Sequence, residues 1–556
     1  MPRITSNTAV VSLGRQLAVA AAIFSAGIAT AGDSPDRPLR EVVDALIAAP
    51  FQQSGIAPGE IATDPEFLRR VFLDLVGTIP TVAEARTFLN DAAPDKREKL
   101  VDRLLSSPEH ARHMARVLNV TLMERRADKH VPTAQWQEYL RKSFLDNKPW
   151  DQMVREILSA DGVDENLRPA AKFFLDRDGE PHLITRDVSR MFLGVNLQCA
   201  QCHDHPLVDD YPQDWYYGIY AFMNRSFVFL DKKNKNTPYL AEKADGDVKY
   251  TSVFDKTKTE KATGPRLFGR EPIPEPALEK GQEYEVAPAD GVRPVPKYSR
   301  RTQLAKHISS PDLAPFKRNI VNRLWAHMMG RGLVHPLDMH SEGNPASHPE
   351  LLDHLADRFG STGFNMRTFL RELALSKTYQ RSCIPPSGTE PAPETFAVAA
   401  LKPLSPEQLA WTMMQATGLA DSQRQALADK LNEATLHDSL AGNVAAFVST
   451  FGGVPGQPEA RFQATLDQAL FVNNGSPLRD WIAPRAGNLV DRLTKLGDAA
   501  AASDELYLSV LTRLPSDDER REVAEYLNNR PAAERTAALQ ELVWALLASA
   551  EFRFNH

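Results

Sequence analysis

The feature that most constrains this chain is a helical rhythm cut at intervals by proline. In "DPEFLRRVFLDLVG" (64–77), "DKREKLVDRLLSSPEHARHMARVLNVTLMERR" (95–126) and "WDQMVREILSA" (150–160), apolar residues recur every three or four positions, the spacing of one face of an α-helix. Pro80, Pro94, Pro108, Pro132 and Pro149 fall where one helix should stop and the next begin. A mainly α, multi-section helical bundle is predicted. Between Phe229 and Arg300 the rhythm gives way to lysine, proline and glycine with short β-type runs, "DVKYTSVF" and "QEYEV", which predicts a small strand-containing insertion or a mobile loop. Helical periodicity resumes at Arg301 and the next helix should end near Met329, with Gly330 and Gly332 as its stop. The proline-rich "CIPPSGTEPAPE" reads as a linker, followed by further helices such as "DELYLSVLTRLPSDDERREVAEYL". The expected sections are a leader over 1–31, helices over 38–228, the insertion over 229–300, helices over 301–382, the linker over 383–402 and helices over 403–556.

The compartment follows from the first residues. Arg3 and Arg15 precede the uncharged run "LAVAAAIFSAGIATA", which is short, alanine-rich and closes on Ala29-Thr30-Ala31, a small-x-small cleavage pattern. This is read as a secretory signal cut after Ala31, leaving an exported chain, periplasmic or extracellular, without a membrane span. Its loss removes two arginines and no acid, taking the formal charge from -7 to -9 and arguing against a nucleic-acid partner. Three cysteines in 556 residues cannot build a disulfide scaffold, so packed cores must supply the stability.

Two of those cysteines sit in "LGVNLQCAQCHDHP" as C-x-x-C-H. Two thiols at this spacing with an imidazole directly behind suit covalent c-type haem, Cys199 and Cys202 as thioether anchors and His203 as iron ligand. A Cys199–Cys202 disulfide, a divalent metal such as zinc, helped by Asp204 and His205, and a bland pair of buried thiols with no cofactor are the competing readings. Upstream, Val188, Met191, Phe192 and Val195 make an apolar stripe; continued helical phase would turn Cys199, Cys202 and His203 toward the core and His205 away. Met191, Met223 and His182 are the nearby candidates for a sixth ligand, although methionines in helices are usually core filler.

A second histidine-rich stretch offers His335, Asp338, His340, His348 and His354, with Glu342 as an acid or base, for a metal-dependent hydrolase; its ordinary reading is a polar connection in which Ser347 caps the next helix. Arg323 and Trp325 belong by default to a packed helix. "FGGVPGQPEARF" lacks the G-x-G-x-x-G order, and neither G-x-S-x-G nor H-E-x-x-H occurs.

The stretch "RRVFLDLVGTIPT" with "VSRMFLGVNLQCAQCHDHPLVDDYPQDWYYGIYAFMNR" closely resembles the planctomycete cytochrome-C-like associated domain (PSCyt type). "NIVNRLWAHMMGRGLVHPLDMHSEGNPASHPELLDHLA" and "RFQATLDQALFVNNG" resemble the planctomycete-specific C-terminal domain (PSD type) that usually follows it. The resemblance implies export and a haem, and its pattern maps onto Cys199, Cys202, His203, Asp204 and His205. Many such relatives carry a separate haem domain; if that domain holds the haem, this stretch serves instead as its docking surface or as a metal site. The functional expectation is electron transfer or haem-dependent oxidation with a redox protein as partner. The alternative of another class is a non-catalytic protein that binds a surface polymer or a protein. Cleavage after Ala31 predicts that N-terminal sequencing of the exported protein starts at Gly32; a start at Met1 would remove the basis for export.

Overall fold

The computed structural model describes residues 37–206, 208–386, 390–459 and 465–556; the expected signal segment 1–31 and the first residues of "RFQATLDQALFVNNG" lie outside the described residues. The chain is mainly α-helical, as its periodicity predicts, with strands only in short two-stranded pairs. Proline punctuates as expected: Pro108 opens the helix Pro108–Met123, and Pro132 and Pro149 sit immediately before Thr133–Leu145 and Trp150–Ser159. The helix Ala314–Met329 ends where Gly330 adopts a left-handed conformation, φ 81°, whose amide closes on the Ala326 carbonyl. "DVKYTSVF" and "QEYEV" contribute the strands Val248–Tyr250 and Tyr284–Val286, paired with Lys261–Thr263 and Val295–Pro296. A hairpin not foreseen precedes them, Ser226–Asp231 running antiparallel to Thr237–Glu242 with Ser226 opposite Glu242. The expected Ser347 cap is absent: His348 stands before the helix Pro349–Ser361 and its ring nitrogen meets the Ser347 hydroxyl instead.

Among the described residues the buried apolar side chains form two clusters. One runs from Leu39 to Ala397 and takes in Leu508; the other runs from Leu404 to Phe552 and takes in Leu73 and Ile79. The helix Asp64–Val76 serves both, and every residue from Phe67 to Val76 is buried. Phe67, Leu68, Val71, Phe72, Leu75 and Val76 enter the first cluster while Leu73 enters the second.

This central helix also buries three charges, each of which would be costly without partners. Arg69 donates to the carbonyls of Val510 (3.2 Å) and Phe552 (2.9 Å). Arg70 donates to the carbonyls of Tyr379 (2.6 Å) and Arg381 (2.7 Å) and to Glu66 (2.7 Å). Asp74 accepts from Lys402 (2.5 Å) and Asn555 (2.7 Å) on one oxygen and from the Tyr379 hydroxyl (2.8 Å) on the other. Lys402 and Asn555 are themselves antiparallel partners in the short pair Lys402–Pro403 with Phe554–Asn555. Asp74 therefore clamps the two clusters together. Asp74→Ala leaves the Lys402 ammonium buried without its carboxylate and should cost about 3–5 kcal/mol, read from the urea midpoint; a loss below about 1 kcal/mol would mean that the clamp behaves as a surface pair.

Candidate functional site

The helix Pro181–Leu193 carries the apolar stripe read from the sequence, with Ile184, Val188, Met191 and Phe192 buried. It does not continue into the cysteines. Gly194 takes φ 72° and its amide returns to the Arg190 carbonyl, closing the helix. A side chain is also sterically barred at this point, since a Cβ there would stand 2.6 Å from the His340 ring. The next residue, Val195, bridges to Met339, and the His340 amide donates to the Gly194 carbonyl (3.1 Å). The helical phase is thereby lost, and with it the expected inward facing of the thiols. Leu197 and Ala200 take the buried positions, whereas Cys199 and Cys202 are exposed and free, and His203 is half-buried.

A short 3-10 turn, Cys199–Gln201, brings the Cys202 amide to the Cys199 carbonyl at 3.2 Å. Three neighbours hold this turn. Tyr217, on the helix Gln213–Met223, donates its hydroxyl to the Gln201 carbonyl (3.1 Å). The Val253 amide of the strand insertion donates to the Cys202 carbonyl (3.0 Å). Asp204 accepts from the Gln213 amide (2.7 Å), putting a carboxylate at the positive end of that helix. The Tyr217 and Tyr250 rings lie parallel with centroids 4.3 Å apart, and Tyr250 donates to Asp214 (2.7 Å). Burial pushes the Tyr217 hydroxyl above its ordinary pKa, and the nearby Cys202 sulfur adds to the rise.

His203 points its Nδ1 at the Asp204 carbonyl, 2.6 Å away, and its ring packs on Phe254 at 4.6 Å. A carbonyl can only accept, so Nδ1 carries the proton and the lone pair of the neutral ring lies on Nε2. Its orientation is that of a histidine held by an outer hydrogen bond for ligation through the other nitrogen. His205 and Asp204 do not join it. The His205 ring stands edge-on to Tyr211, and Asp204 is occupied with the helix end. Met191 and Met223 are core residues, 2% and 0% exposed, and His182 packs on Tyr220 (4.4 Å) while bonding the Tyr216 hydroxyl (2.7 Å).

The histidine-rich stretch disperses its candidate ligands. Asp338 is taken by Arg323 and, at 3.5 Å, by Arg190. His340 lies beside Asn322 (3.4 Å), His348 packs toward Phe396, His354 rides on the helix Pro349–Ser361, and the Glu342 amide donates to Asp210. His335 and Arg323 line an apolar cavity of about 330 Å³, and Trp325 packs edge-on against Phe396. Among the described residues no three His, Cys, Asp or Glu side chains converge as a metal site. A second, larger cavity, lined by Asp74, His113, His327, Lys402 and Asn555, went unforeseen. Its residues span the whole chain, so no local spacing could have announced it.

A helical body that presents a C-x-x-C-H turn at its surface is here joined to a second helical section. Residues 42–227 match the family model PSCyt2, described as a protein of unknown function (DUF1549), and residues 300–527 match PSD1, likewise described as a protein of unknown function (DUF1553). The chain belongs to these two families, a PSCyt-type domain followed by a PSD-type domain. No curated protein and no solved structure matches it.

Burial, reinforced by the Arg323 charge, lowers the His340 pKa to about 4. An unfolded imidazole titrates near ~6.5, so on acidification below that value the unfolded chain takes up a proton that the folded site refuses until about pH 4. Stability should be level above about pH 6.5 and fall toward pH 4, with His340 contributing on the order of 3 kcal/mol to the loss. Urea midpoints at about pH 7.5 and about pH 4.5 should show a shallower acid loss in His340→Gln than in the parent; equal losses would contradict a buried neutral ring.

Proposed function

We propose that Cys199, Cys202 and His203 attach a c-type haem and that the chain, exported, works in electron transfer or haem-dependent oxidation with a redox protein as partner. The observation that carries this reading is the turn itself: both thiols exposed within one short 3-10 turn, and His203 held by Nδ1 with Nε2 left for a metal. The donor set fits the group. Bound there, the haem would supply a reversible one-electron change at its iron.

The protein's own part is to fix the donors. Tyr217 and Val253 hold the carbonyls at Gln201 and Cys202. Asp204 ties the far end of the turn to a helix, and Phe254 steadies the imidazole ring. Rigid donors raise specificity because the ligand geometry is set before the ligand arrives. The same exposure of both sulfurs also favours a second reading, a reversible Cys199–Cys202 disulfide.

The precursor expressed with haem-maturation machinery, purified from the exported fraction and then denatured should retain haem absorbance. Cys199→Ala, Cys202→Ala should lose it. A colourless parent from cells that mature a control cytochrome would overturn the haem reading, and a parent lighter by two hydrogens that returns to full mass on reduction would favour the disulfide.

A further inference from the structure

In the histidine-rich stretch Asp338 is taken by two arginines, whereas Glu342, Pro345 and Pro349 stay exposed. These three form one side of an open groove of about 590 Å³, where the stretch faces the segment that follows the cysteine turn. Asp210 and Trp215 of that segment, Phe268 of the strand insertion and Pro315 at the start of Ala314–Met329 supply the other side. The two sides are fastened together: the Glu342 amide donates to the Asp210 carboxylate, and the Tyr211 hydroxyl donates to the His340 carbonyl at 2.9 Å.

The surface that the groove leaves open is apolar and stiff. Trp215 is half-buried, its ring stacked on Phe268 with centroids 4.9 Å apart. Pro345 and Pro349 are exposed, and Pro315 and Ala346 are half-buried. Proline rings have little conformational freedom to lose, so a ligand settling between them pays little to order its site.

The charge around these walls is one-sided. Asp353 is answered by Arg318 at 2.6 Å, and burial keeps His340 neutral down to about pH 4. Asp210 is half-buried and Glu342 exposed, and neither is in an ion pair among the described residues. Burial, and after it the carboxylates of Asp210 and Asp338, push the neighbouring Tyr211 hydroxyl above its ordinary pKa. The groove therefore lies in a negative field.

Two unanswered carboxylates beside an apolar wall call for a cation that carries its own apolar body. A bare metal ion is the poorer match, since among the described residues no three His, Cys, Asp or Glu side chains converge to ligate one. An ammonium needs only negative charge nearby, and the indole of Trp215 is the ring that attracts cations most strongly. The volume suits a molecule of one or two rings.

We propose that this groove binds a small organic ammonium with a flat apolar body. Asp210 and Glu342 attract the charge, and Trp215 and the proline walls take the body. None of Cys199, Cys202 and His203 lines the groove, so the site does not depend on what the cysteine turn carries.

The test is calorimetric titration of the full exported protein, at low salt and neutral pH, with probes that share an indole body: tryptamine, neutral tryptophol and anionic indolepropionate. Tryptamine should bind about tenfold more tightly than tryptophol, and indolepropionate more weakly than either. Glu342→Gln should shrink the advantage of tryptamine and Glu342→Lys should abolish it; the side chain is exposed at the rim, so neither change disturbs a core. Trp215→Leu should weaken all three probes, and added salt should weaken tryptamine while leaving tryptophol unchanged, a readout that serves if Trp215→Leu does not fold. The Cys199→Ala, Cys202→Ala protein should bind as the parent does. Failure of the parent to bind tryptamine at about 10 mM, equal affinity for tryptophol, or an undiminished preference in Glu342→Lys would overturn the proposal.

Discussion

The carboxylate of Asp74 is the point on which the rest of the structure depends. A charge removed from water must be met inside the protein, and Asp74 is met from three separate stretches of chain: Tyr379, Lys402 and Asn555. Lys402 in turn closes the carbonyls of His327 (3.2 Å) and Met328 (2.8 Å) at the end of the Ala314–Met329 helix. One buried anion thus fixes the meeting of the central helix, a second long helix and the strand pair that begins the second core cluster. The arginines beside it extend the same logic, Arg69 toward the second cluster and Arg70 toward the carbonyls of Tyr379 and Arg381.

Local physics was legible in the sequence and distant pairing was not. Proline at helix starts and glycine at helix ends act within a few residues, so Pro108 and Gly330 could be read correctly one at a time. The hairpin Ser226–Asp231 with Thr237–Glu242 escaped because its first strand follows directly on a helix and its sequence lacks a clean alternation. The cysteine turn was found but turned the wrong way. Its inward orientation assumed an unbroken helix, and Gly194, whose neighbour across the contact is His340, breaks it for a reason that lies well over a hundred residues away. The Arg69, Arg70 and Asp74 network shows the same limit more strongly. In "RRVFLDLVG" these residues look like the wet face of an amphipathic helix, and they are buried because Val510 and Phe552 cover Arg69, the Tyr379–Arg381 segment covers Arg70, and Tyr379, Lys402 and Asn555 converge on Asp74.

At the cysteine turn, exposure of the sulfurs coexists with tight fixing of the backbone. The side chains are open to a reactant, while the carbonyls of Gln201 and Cys202 and the carboxylate of Asp204 are each spoken for by a different neighbour. A turn so held presents its chemistry without wandering. The histidine-rich stretch behaves differently: Asp338 answers Arg190 and Arg323, the His340 amide closes on the Gly194 carbonyl, and His348 and His354 lie elsewhere, on Phe396 and on the helix Pro349–Ser361. Richness in ligand-type residues and readiness to ligate are thus separate properties, and the number of partners each residue already has distinguishes them.

The contact between Asp74 and Asn555 joins positions 481 residues apart in sequence. Synthesis runs from the N-terminus, so the central helix is made early and its charges wait through nearly the whole of elongation for the groups that answer them. Loop closure over such a span is slow and comes after local structure has formed. The first helices therefore have to persist with an open, sticky and partly charged face, and the growing chain is most exposed to chaperones, proteases and misassociation there. The contacts that tie the two core clusters together at Asp74 cannot form until the last residues of the chain have been made.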